Sequence, residues 1–105
     1  MLDPASFLRK LFAALAKSGV DVSRFPLDHL CYRVENGDRY RALRNALDQE
    51  GVLLGENQIG GRPIATYRLN KPFHFEGRSI DVLELPAPKP GSPYPEGYEH
   101  AEFVV

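Results

Sequence analysis

A single cysteine, Cys31, in 105 residues excludes an intramolecular disulfide framework. An excess of one charge is also missing. The 13 Lys and Arg nearly balance the 14 Asp and Glu, for a net charge of -1. That is too balanced for a dedicated nucleic-acid surface, which needs clustered cations. Long apolar runs are absent too: the longest, Leu11 to Ala16, falls far short of the roughly 20 residues of a membrane helix. No signal peptide is legible, because the N-terminus opens with Asp3-Pro4 and not with a basic region before an apolar one. These absences predict one soluble domain in a reducing cytoplasm, with neither nucleic acid nor membrane as partner. Hydrophobic content of 43% and charged content of 26% suit such a domain and name no function.

What is present is a succession of short, well-punctuated elements. Asp3-Pro4 reads as an N-cap and a first helical position; Phe7, Leu8, Leu11, Phe12 and Leu15 follow at helical spacing, and Gly19 stops the helix. His29 to Val34 alternates as a strand. Asn36-Gly37-Asp38 ends that strand and caps a second helix with an apolar stripe of Tyr40, Leu43 and Leu47, closed by Gly51. Strands are then expected over 52–56, 63–69 and 79–85, with a turn at Gly60-Gly61; Pro72 and Gly77 bracket an irregular stretch or a continuation of the hairpin. Gly55, Gly60 and Gly61 fit no phosphate-loop pattern and precede no helix, so a nucleotide cradle is rejected. Residues 86–95 include Pro86, Pro88, Pro90, Pro93 and Pro95, a composition for a stiff connector and not for a helix or central strand.

Chemistry concentrates on a few strand faces. After the connector, Tyr94 to Val105 returns to strand alternation. His100, Glu102 and Val104 then share one face, and Glu99, Ala101 and Phe103 the other. An imidazole and a carboxylate about 7 Å apart along a strand are metal ligands or proton carriers, or the wet side of an edge strand. On the first strand His29, Cys31 and Arg33 form a polar row opposite Leu30, Tyr32 and Val34; such a row meets solvent or lines a cavity. On the fourth strand Ile80, Val82 and Glu84 share a face, which sets Glu84 at the end of an apolar row. A buried carboxylate there needs a cation, a strong donor or a metal, while a place at the sheet rim needs none. Arg62 beside its turn is an anion ligand or a solvated cation.

Asp28-His29 with Arg33, Gly61-Arg62-Pro63-Ile64, Glu84-Leu85-Pro86, and Tyr94 through Glu102 occur in an order and spacing that resemble the YecM family along nearly the whole chain. YecM proteins are similar to the vicinal oxygen chelate superfamily, whose paired β-α-β-β-β modules curve around a metal cavity; glyoxalase I, extradiol dioxygenases and bleomycin-resistance proteins share that fold. The resemblance implies an α+β fold: an N-terminal helix (1–19), one βαβββ module with a curved mixed sheet (27–85), a proline-rich linker (86–95), and the first strand of an incomplete second module (96–105). It implies ligands for a divalent ion (Zn, Ni, Mn or Fe) at His29, Glu84 and His100, one each from the first strand, the fourth strand and the next module's first strand. Glu102 would be a fourth ligand or a general base. Arg33 would orient a substrate carboxylate or neutralise Glu84 and Glu102. The expected function is a metal-dependent isomerase, lyase or dioxygenase-type enzyme for a small carbonyl or phenolic molecule; the alternative is a metal-free module that sequesters a small molecule. Because members of the family continue through a complete second module, a fragment or a truncated or degenerate version is expected, or a homodimer if the chain is complete.

Overall fold

In the computed structural model, helix α1 spans Ala5–Lys17 and helix α2 spans Gly37–Glu50. The strands are β1 (Leu27–Arg33), β2 (Gly51–Ile59), β3 (Arg62–Phe75), β4 (Arg78–Pro86) and β5 (Gly97–Phe103). The structure describes residues 2–89, 91 and 95–105. Pro90, Ser92, Pro93 and Tyr94, expected in the proline-rich connector, lie outside the described residues.

Both helices end where their capping chemistry dictates. Asp3 Oδ1 accepts the N–H of Ala5 at 3.0 Å, although Pro4, not Asp3, occupies the N-cap position. Gly19, at φ +75, lets the chain leave α1. Its N–H reaches Ala16 O at 3.1 Å and that of Val20 reaches Leu15 O at 2.9 Å, the bond pair of a left-handed C-terminal cap. Asn36 Oδ1 accepts the N–H of Arg39 at 2.8 Å and opens α2. Gly51 ends α2 for a different reason. Its backbone is extended, and a Cβ there would stand 2.3 Å from the carbonyl oxygen of Arg68, so the close approach of β3 demands glycine.

The strands form one mixed sheet in the order β2-β3-β4-β1-β5. β1 lies parallel to β4, which the crossover through α2 permits, and antiparallel to β5. Two-residue hairpins at Gly60-Gly61 (φ +61 and +79) and Glu76-Gly77 (φ +47 and +78) keep both central residues left-handed, matching the twist of the flanking strands. β2 and β3 are longer than their sequence patterns indicate. Of the two readings for the stretch after Pro72, the continued hairpin forms: Pro72 lies within β3, where the β3–β4 register is interrupted between Arg68 and Phe73, so its missing N–H is tolerated. Pro86, assigned from sequence to the connector, instead closes β4, and the N–H of Ala87 donates to Pro63 O at 2.9 Å.

Leu8 from α1, Leu43 and Leu47 from α2, and Leu30, Tyr67, Leu83 and Leu85 from the sheet form one apolar cluster. Ile80 belongs to it as well, which corrects the expectation that Ile80 shares a face with Glu84. The register interruption beside Asp81 resets the alternation, so Ile80 and Leu83 both reach the core while Glu84 points away. Tyr67 is fully buried, and its hydroxyl is satisfied: it donates to Asp48 Oδ1 at 2.6 Å and accepts from Arg44 Nε at 2.7 Å. No helix among the described residues is long and apolar enough to cross a membrane.

Arg78 ties the connection after α1 to the sheet. Its guanidinium donates to Phe25 O at 2.7 Å and Val22 O at 2.8 Å, and lies 5.5 Å from the ring centre of Phe12 and 5.4 Å from that of Phe103. Charge-assisted bonds of this kind contribute about 1.5–3 kcal/mol. Replacing Arg78 with Met should therefore lower the unfolding free energy by about 2–3 kcal/mol in urea titrations, and Lys, which lacks the fork, should recover less than half. A Met variant within about 0.5 kcal/mol of wild type would contradict this role.

Candidate metal centre

β1 lies between β4 and β5, and its register decides which side chains meet. Cys31 stands opposite Glu84 of β4 on one side and His100 of β5 on the other. His29 stands opposite Glu102. A row of Glu84, Cys31 and His100 is thus assembled across three strands, with His29 and Glu102 one step along. These side chains occupy the face of the sheet opposite the apolar cluster.

Two irregularities in the β1–β5 ladder shape this face. The register shifts once between Leu27 and His29, and again between Cys31 and Tyr32. The first leaves Asp28 without a partner on β5. The second leaves Glu99 without one on β1. A bulge of this kind inserts an extra residue and suspends the alternation of faces. Glu99, expected on the side opposite His100, is therefore turned to the same side: its Oε2 lies 3.3 Å from His100 Nδ1 and 3.8 Å from Cys31 Sγ.

The geometry centres on His29. Its Nδ1 lies 2.9 Å from Asp28 Oδ2. Its Nε2 is 2.8 Å from Glu102 Oε2 and 3.6 Å from Glu84 Oε2, yet it is buried and neither oxygen completes a hydrogen bond to it. Ligand atoms of His29, Glu84 and His100 all lie within 4.8 Å of one another. The two imidazole rings meet edge to face at 6.4 Å. Glu102 reaches His29 but does not converge with all three donors, and its side chain remains 63% exposed. Arg33 is ion-paired with Glu99. A cavity of about 330 Å³ lies beside this pair, lined by Arg33, Glu99, Glu96 and Tyr98.

Cys31, Glu99 and His100 form a second convergent set. It is a poorer cation site at neutral pH. Burial, then the negative charges of Glu84 and Glu99, push the Cys31 thiol up to about 12, so it stays protonated. Burial raises the Glu99 carboxyl, but the bond and charge of Arg33, followed by those of His100, carry it below the ordinary range. Its charge is thus already partnered by Arg33. A cavity of about 580 Å³ lies between the end of α1 and the β3–β4 turn and is lined by none of the residues expected in a site.

Glu96 anchors the entry to β5. Its carboxylate accepts two bonds from Arg39, at 3.1 Å to Nε and 2.8 Å to Nη2, and one from the Tyr32 hydroxyl at 3.4 Å. Arg39 holds the Glu96 carboxyl below its usual range. Asp28, Glu99 and Glu96 were assigned no site role from the sequence. For the first two a signal existed: an acidic residue directly precedes each histidine, in Asp28-His29 and again in Glu99-His100.

A thiol that is 1% exposed and protonated should not react in the folded protein. Iodoacetamide at pH 8 should leave Cys31 unmodified for hours and label it fully once urea unfolds the chain, as read by intact mass. Labelling of the folded protein at the rate of a free thiol would contradict the burial and protonation of Cys31.

Comparison with known proteins extends over the same elements. The chain is 36% identical over 104 residues to an uncharacterised protein of Haemophilus influenzae, covering 98% of this chain and 54% of that protein. It is 30% identical over 103 residues to Protein YecM of Escherichia coli, covering 98% and 55% respectively. A solved structure described as "Structural Genomics, Protein EC4020" superposes with a TM-score of 0.87 at 30% identity, covering 95% of this chain and 55% of that one. The chain thus spans about half the length of the curated relatives it matches. The family described as YecM protein matches residues 1–105, through every strand that carries His29, Glu84 and His100, and the chain belongs to that family.

Proposed function

We propose that His29, Glu84 and His100 bind a divalent metal ion in a site of the vicinal oxygen chelate kind. This centre serves an isomerase, lyase or dioxygenase-type reaction on a small carbonyl or phenolic molecule. The carrying observation is the buried, hydrogen-bond-free Nε2 of His29 with carboxylate oxygens at 2.8 and 3.6 Å. A nitrogen lone pair facing two carboxylates is repulsive unless a cation sits among them. A proton relieves one such contact. A metal ion relieves all of them and also engages His100, whose ligand atom lies within the same 4.8 Å cluster. The strands that the resemblance makes ligand-bearing are β1, β4 and β5, neighbours in the sheet.

Two imidazoles and a carboxylate suit Zn, Ni, Mn or Fe(II). Such an ion, when bound, supplies a Lewis acid for a substrate oxygen. The protein's own groups do the rest. Glu102, near His29 and open to solvent, accepts a proton at Oε2 and passes it to water. Arg33 lines the adjacent cavity and orients an anionic or oxygen-bearing substituent. Cys31, protonated and buried beneath the row, keeps the floor uncharged.

Calorimetric titration of metal-stripped protein with Zn²⁺ tests the reading. Wild type should bind about one ion per chain. His29→Ala, His100→Ala and Glu84→Gln should each weaken binding by about a hundredfold or more, and Arg41→Met, an exposed change on α2, should leave it unchanged. Equal affinity in all variants would refute the assignment of ligands. No binding by folded wild type would leave a metal-free binding cavity as the function of this face.

A further inference from the structure

We infer that Asp28 and Glu99 are positioning residues, each of which fixes the tautomer of the histidine that follows it, so that His29 and His100 both carry their proton on Nδ1 and keep Nε2 as a free lone pair. The functional meaning of this rests on the metal reading above. The tautomer assignment itself does not.

A neutral imidazole has one donor nitrogen and one acceptor nitrogen, and a carboxylate can only accept. Glu102 Oε2 lies 2.8 Å from His29 Nε2 but completes no hydrogen bond to it, whereas Asp28 Oδ2 is hydrogen-bonded to His29 Nδ1 at 2.9 Å and Glu99 Oε2 to His100 Nδ1 at 3.3 Å, so the proton belongs on Nδ1 in both rings. In a regular strand the residue before a histidine points to the opposite face and cannot reach its ring. Here both preceding residues sit at the register shifts of the β1–β5 pair, and each bulge brings the acidic side chain to the histidine's side. The same device therefore occurs twice, once on each of two adjacent strands, and in each case supports one of the two proposed imidazole ligands. Carboxylates that hold the distal nitrogen of a ligating histidine fix its ring and raise its basicity. Glu99 is itself held by Arg33, which extends this support to the wall of the neighbouring cavity. His74, preceded by Phe73 and without a carboxylate partner among the described residues, is an internal reference.

Long-range ¹H–¹⁵N correlation spectra of the metal-free protein at pH 8 read the tautomers directly. His29 and His100 should show the Nδ1–H pattern and His74 the Nε2–H form favoured by an unconstrained side chain. Asp28→Ala should shift His29 alone toward Nε2–H, and Glu99→Ala should shift His100 alone. Asp28→Asn and Glu99→Gln, which keep an accepting oxygen, should restore the wild-type pattern. In Zn²⁺ titrations the Ala variants should bind about 10–100-fold more weakly, with recovery in the amides. An Nε2–H or doubly protonated His29 or His100 in the wild type would overturn the inference, as would Ala variants with unchanged spectra. Nδ1–H tautomers in a protein that binds no ion would sustain the inference and remove the metal reading.

Discussion

The position of β1, hydrogen-bonded in parallel to β4 and antiparallel to β5, is the constraint on which the site depends. Parallel pairing requires a crossover, supplied by α2, and the crossover carries Leu43 and Leu47 into the core beside Leu30 and Leu83. Burial of one face of β1 fixes its register, because a one-residue slip would send its apolar residues to the opposite face. With register fixed, Cys31 must lie between Glu84 and His100, and His29 must lie across from Glu102. Apolar packing on one side of the sheet thus sets the polar geometry on the other.

Electrostatics on that face is unbalanced by design of the strands. Asp28, Glu84, Glu99 and Glu102 surround two imidazoles and one guanidinium, that of Arg33. Arg33 offsets Glu99, and Asp28 is exposed enough for water to screen it. Glu84 and Glu102 remain, both aimed at the same nitrogen of His29. The proposed metal ion would complete this arrangement, with the two bulges as its outer supports.

Much of this was legible in the sequence because it rests on local signals. Helix ends at Gly19 and Asn36, the Gly60-Gly61 turn and the polar row of β1 follow from capping, turn chemistry and period-two alternation. His29, Glu84 and His100 could be grouped only through resemblance to a family, since strand order is not a local property. Strict alternation failed at Asp28, Glu99 and Asp81, where bulges or register shifts displace a side chain to the other face. Such irregularities depend on the partner strand and leave no periodic trace. The repeated acidic-His dipeptide was the one available clue. The full lengths of β2 and β3 were also hidden, because Pro72 reads as the edge of an irregular stretch until the β3–β4 pair absorbs it at a register shift, and the residues after Glu56 carry no strand pattern of their own.

Anomalous diffraction from crystals grown with Zn²⁺ locates the proposed ion without reference to activity. A single strong peak within about 2.0–2.2 Å of donor atoms of His29, Glu84 and His100 is the expected result. A fully occupied ion bound elsewhere, with His29 still facing Glu84 and Glu102 across an empty gap, would contradict it.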